Sequence, residues 1–312
     1  MRGFSAAFIT PSVLLVAALV LVDPRGFGQV RGVYPLGMSA TNSGVTPEAG
    51  FSYGNNFLFY ARDEEKGPNG EVVATGHNSV LMDMNGFILV TKPVAWIPGK
   101  PAFSASATLP FANNSLSSAL NGAISGGGGF ADSYYQPVIL GWQTERADVR
   151  AIYGFLAPTG RFVAGANDNV GNGYWTNVLA SGQTIYLTQN KRTAASAFEM
   201  YEWHTTQEGT GIHPGDTFDL DYSVTRVFPV RDDLLSQLGV IGYEQFQTTN
   251  KSGPNITPAE GGEYYVVHSL GFATSVMLPP RKVNLGLRYF KEFEDRSTYQ
   301  GYSIQIAFAV KF

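Results

Sequence analysis

From about residue 50 onward, large apolar residues alternate with small or polar ones, position by position. The last eleven residues show it most plainly: Tyr302, Ile304, Ile306, Phe308, Val310 and Phe312 alternate with Ser303, Gln305, Ala307, Ala309 and Lys311. A period of two puts the first set on one face of a β-strand and the second set on the other. Left open in water, a strand of this kind would invite aggregation. It is accounted for if the apolar face meets lipid and the strand closes a barrel against the first one.

That first strand is predicted where Phe51, Tyr53, Phe57, Phe59 and Ala61 share a face. Further segments follow near 77–92, 101–111, 134–144, 147–156, 174–187, 193–204, 216–228, 234–248, 263–278, 282–293 and 299–312. The total is about twelve, an even number, as bacterial barrels require, and each segment is long enough for a tilted crossing. The connections sort by parity. After odd strands they are polar and rich in Gly and Asn (62–76, 112–133, 157–173, 205–215, 249–262, 294–298), whereas after even strands they are mostly tight. Long loops outside and short turns in the periplasm give this sorting, and a two-sheet sandwich has no reason to. The expected fold is therefore all-β: a transmembrane, antiparallel, up-and-down barrel of outer-membrane type over residues 50–312, with both termini in the periplasm.

Aromatic residues add two levels. Trp96, Trp142, Tyr186, Phe228 and Phe312 fall near the turn ends, and Phe111, Phe155, Trp175, Trp203 and Tyr264 near the loop ends. They are read as interfacial girdles.

Composition narrows the class. With 312 residues, a net charge of −4 and no cysteine, the chain offers no basic footprint for nucleic acid and no disulfide or thiolate metal site. Arg2, the apolar run Val13 to Val22 and the step Gly26-Phe27-Gly28 read as a secretory signal peptide over residues 1–28. Residues 29–49 lack periodicity and are expected either to lie on the periplasmic side or to plug the lumen.

The polar strand faces are expected to line the interior. Asp219, Asp221 and Arg288 lie deep in strands, where facing hydrocarbon would be costly, and Glu292 shares the face of Arg288. Arg150, Glu199 and Glu244 are assigned to the same lining. His268 falls on the face of Leu270 and Phe272, among apolar neighbours. Twelve strands about 4.8 Å apart and tilted about 40° give a backbone diameter of roughly 24 Å and a bore of about 12 Å at most, before any plug.

Catalytic signals are thin. Gly50-Phe51-Ser52-Tyr53-Gly54 fits G-x-S-x-G but sits in a strand with no helix after it. The four histidines, His77, His204, His213 and His268, are scattered, so no metal or cofactor site is expected.

Several segments occur in one order: GFLAPTGR (154–161), NVGNGYWT (169–176), Tyr201-Glu202, HPGDT (213–217), GVIGYEQFQ (239–247) and Leu285 to Tyr289. With the Pro-Leu-Gly lead-in, they resemble the outer-membrane proteins named for the meta-pathway of phenol degradation. That resemblance implies a barrel channel or transporter for small, hydrophobic or aromatic molecules, and it carries over no site residues. The expected partners are outer-membrane lipid, a small solute and the barrel-insertion machinery, the last through the strand ending in Phe312. Two alternatives stay open: a barrel enzyme acting on lipids, and a structural or adhesion barrel.

Overall fold

A computed structural model describes residues 31–118, 122–166 and 168–312. Among the described residues the strands are β1 (Gly50–Lys66), β2 (Val72–Pro93), β3 (Ala102–Ser118), β4 (Gly122–Phe130), β5 (Ser133–Gln143), β6 (Ala147–Ala157), β7 (Thr176–Tyr186), β8 (Thr193–His204), β9 (Thr217–Arg231), β10 (Leu234–Gln247), β11 (Val266–Leu278), β12 (Val283–Glu292) and β13 (Thr298–Lys311). All pairings are antiparallel and join sequence neighbours, save that β5 pairs β3 instead of β4 and that β1 pairs β13. The sheet closes where β1 meets β13, from Ser52 opposite Lys311 to Lys66 opposite Thr298. Omitting β4, twelve strands make a closed barrel with no free edge, as a spanning sheet must.

The predicted wall strands are all present. Two features of the loop end differ from expectation. Residues 62–76 are mostly strand, because β1 and β2 continue as a hairpin. The expected loop 112–133 holds the extra strand β4, which pairs with the far end of β3. Both extensions are polar or small in sequence, and a hairpin clear of the hydrocarbon needs no apolar face.

Burial alternates most regularly in β8. In β8, Ala194, Ser196, Phe198, Met200, Glu202 and His204 are buried in the interior while their neighbours face out. The outward faces carry the exposed large apolar residues, among them Leu179, Val240, Phe272 and Leu285. Of the expected girdle residues, Trp96, Phe312, Phe111, Trp175, Phe228 and Tyr264 are exposed. Tyr186 is not one of them: its hydroxyl donates to Asp148 Oδ2 at 2.6 Å, on the interior face.

Two apolar clusters fill part of the interior. Ile139, Ile152, Val178, Phe198 and Met200 pack with Tyr34, and Ile241, Tyr243, Tyr265, Val267 and Phe290 pack with Ala40. Leu36 touches both clusters. Tyr34, Leu36 and Ala40 belong to the segment that precedes β1, which therefore lies inside the barrel.

Candidate functional site

The interior is built by the inward faces and by this segment, residues 31–49. Its backbone has no helix or strand of its own, so its amides and carbonyls need partners from the wall. Glu202 accepts from the Val33 and Tyr34 amides, both at 2.8 Å. Asp221 accepts from the Gly37 amide at 2.9 Å, the Ser39 amide at 3.0 Å and the Tyr34 hydroxyl at 2.7 Å. Arg150 Nε donates to the Ser43 carbonyl at 2.7 Å, and Gln305 Nε2 donates to the Leu36 carbonyl at 2.8 Å. Gln143 Nε2 donates to the Thr46 carbonyl at 3.1 Å. Arg288 reaches the Thr41 hydroxyl at 3.4 Å.

The two ends of the segment are pinned by charge. Arg31 donates to Glu292 Oε1 at 2.6 Å, to Asp295 Oδ2 at 3.3 Å, to Thr298 Oγ1 at 3.1 Å and to the Tyr299 carbonyl. Tyr60 and Tyr243 also donate to Glu292, at 2.8 and 3.0 Å, so this carboxylate is the hub of the loop end. At the turn end Lys311 pairs with Glu48 at 2.6 Å. Arg31 and Phe312 therefore sit at opposite mouths of the barrel. The expectation that both ends of the exported chain share one side does not follow from this geometry; residues 1–30, with the expected signal peptide, lie outside the described residues.

Asp295 lies in the hairpin between β12 and β13. Burial, and then the neighbouring Glu292 carboxylate, raise its pKa to about 8 against the pull of Arg31.

Of the seven residues assigned to the lining from sequence, Arg150, Asp219, Asp221, Arg288 and Glu292 face inward. Asp219 accepts from Gln245 Nε2 at 2.6 Å. Glu199 and Glu244 do not face inward, and their assignment is corrected. Both stand on the outward parity of their strands, because the inward positions beside them hold Phe198 and Met200 in one strand and Tyr243 and Gln245 in the other. Glu199 accepts from Ser181 Oγ at 2.8 Å and Gln183 Nε2 at 2.9 Å. Glu244 accepts from the Tyr222 hydroxyl at 3.1 Å and pairs with His268. His268 in turn lies between the rings of Phe246 and Phe293. A third outward polar group joins Tyr53, Asn55, Asp83 and Asn85 on β1 and β2. Each outward polar group thus spends its hydrogen bonds on a strand neighbour, which lowers the cost of facing lipid.

Glu202, Gln245, Gln305 and Tyr34, which bind the segment or brace its anchors, went unselected in the sequence. Gln305 shows only its polar place in an alternating strand, Glu202 and Gln245 lie in the segments Tyr201-Glu202 and GVIGYEQFQ, and Tyr34, outside any strand, has no parity to mark it.

The fold is shared with known outer-membrane barrels. The crystal structure of the COG4313 outer membrane channel from Pseudomonas putida F1 superposes with a TM-score of 0.69 at 12% identity, covering 87% of this chain and 98% of that one. The β-domain of the Bordetella autotransporter BrkA gives 0.53 at 10% identity, covering 84% of this chain and 100% of the other. No curated protein matches the chain. A family model described as "Putative MetA-pathway of phenol degradation" matches residues 61–308, and the chain belongs to that family.

Proposed function

We propose that this chain is a passive channel of the bacterial outer membrane for small, apolar or aromatic molecules, with its C-terminal end toward the periplasm. One observation carries the reading: a closed, lipid-facing barrel whose interior mixes fixed hydrogen-bonding groups with two apolar clusters. A purely polar lining would suit sugars or ions, whereas this interior also holds Phe198, Met200, Ile241 and Phe290, packed beneath the inner segment, which make it less polar than an ion or sugar path. The described residues 31–49 lie inside the barrel and narrow its bore. Membership of a family described by phenol degradation, and a fold shared with an outer membrane channel, support the same reading. Planar-bilayer conductance of the purified protein, together with growth of an expressing strain on aromatic compounds at limiting concentration, tests it. A sealed barrel that gives no growth advantage would refute it.

The outward Tyr222, Glu244 and His268 group favours a second reading, an enzyme acting on outer-leaflet lipid. Lipid turnover in vesicles by the wild type, lost in His268→Ala, would decide for it.

A further inference from the structure

The inner segment presses unevenly on its wall. Against β5, β6 and β7 the approach is as close as backbone allows. A Cβ added at Gly141 would fall on the Thr46 side chain, one at Gly182 on the Ser43 carbonyl, and one at Gly44 on the Asp148 carbonyl. Arg150 and Gln143 hold the same stretch to the same strands.

Across the barrel the inward residues lose their side chains instead. Gly286, Ala307, Ala309, Gly54, Gly86 and Thr108 follow one another around the wall. The register sets Gly286 opposite Ala307, Gly54 opposite Ala309 and Gly86, and Gly86 opposite Thr108. Space in front of them is open. A Cβ at Gly54 would meet the Phe308 carbonyl oxygen at 3.6 Å, and one at Gly86 the Gly54 carbonyl oxygen at 3.5 Å and Thr108 Oγ1 at 3.8 Å. At Gly286 the nearest atoms are Ser275 Cβ at 3.5 Å, the Thr274 carbonyl oxygen at 3.6 Å and Ala307 Cβ at 3.9 Å. These are strand neighbours at ordinary contact distance, and none belongs to residues 31–49. None of the six wall residues is buried, in contrast to the inward face of β8.

Toward the loop end this smooth wall meets larger side chains. Asn56, Leu58 and Met84 occupy the next inward positions of β1 and β2 and are 9%, 7% and 4% exposed. Asn56 Oδ1 is buried there with no hydrogen-bond partner among the described residues, an expensive state for a carbonyl group. Met84 is the conformable member, able to shift rotamer around a guest.

Resting on the channel reading, we propose that solutes pass between the inner segment and this small-residue wall, and that Asn56, Leu58 and Met84 form the selecting constriction. The chemistry of that constriction fits a compact, mainly apolar molecule bearing one hydroxyl, whose proton satisfies Asn56 Oδ1 while the body lies on Leu58 and Met84.

Single-channel recording in planar bilayers tests this, with benzyl alcohol and toluene as blocking probes. Gly54→Leu and Gly86→Leu should each cut conductance at least fivefold with the melting temperature unchanged, and Gly54→Ala and Gly86→Ala should fall between. Benzyl alcohol should block wild-type current, and Asn56→Leu should weaken that block about tenfold while leaving block by toluene unaltered. Wild-type conductance in both leucine variants overturns the path, and equal loss of both probes in Asn56→Leu overturns the role of its amide. A wild type that carries no current at all fails at the channel reading itself, which separates the two failures.

Discussion

Asp221 anchors the middle of the inner segment to the wall. It accepts from two amides and the Tyr34 hydroxyl, and it is fully buried. Asp221→Ala leaves the Gly37 amide and the Tyr34 hydroxyl without an acceptor, while the Ser39 amide keeps the Tyr34 oxygen, so it should destabilise the protein by about 3 kcal/mol, read as a shift in urea midpoint in detergent. Asp295 makes a prediction in pH. Its pKa of about 8 lies above the ordinary carboxylate value, so the folded state binds the extra proton. Stability should therefore fall as pH rises from about 4 to about 8 and level off beyond. Asp295→Asn should reduce that slope, as melting temperatures of wild type and variant measured across the range would show. Glu199, by contrast, faces outward and takes only neutral donors. Glu199→Gln should alter stability by no more than about 1 kcal/mol, and a larger loss would argue that its charge is in use.

At the level of the element, the twelve wall strands were legible because lipid outside and polar groups inside impose a period of two. For Glu199 and Glu244 face assignment failed where that contrast inverts. In β8 the outward row is Ala195, Ala197 and Glu199, and Phe198 and Met200 point inward to pack on the Tyr34 cluster. In β10 Ile241 and Tyr243 point inward in the same way and leave Glu244 outside. Apolarity alone cannot tell a lipid-facing row from one covered by an inner segment. β4 escaped notice for a different reason: a Gly- and Ser-rich strand beyond the bilayer has no apolar face to display. The inner segment had no periodic signal, because its partners are side chains scattered from Glu202 to Gln305. Arg31 fixes that segment at the loop end. Arg31→Ala would leave the Glu292 carboxylate buried without its cation, a loss of about 3–5 kcal/mol, and it should loosen the segment enough to raise single-channel conductance.

For the whole molecule, closure is the controlling feature. The β1–β13 seam joins the first and last strands over the height of the wall, and Phe312 reaches back to donate its amide to Phe51 while the two rings stack. Deleting Phe312 should lower the yield of inserted, heat-modifiable barrel in cells, with little change in synthesis. The same seam bears on assembly. Arg31 is moored at one mouth, Glu48 is tied to Lys311 at the other, and the chain between them crosses the hollow. Whatever sews the final edge must do so with that leading thread already laid inside, since a cylinder stitched shut first would have to draw its own beginning up through a finished tube.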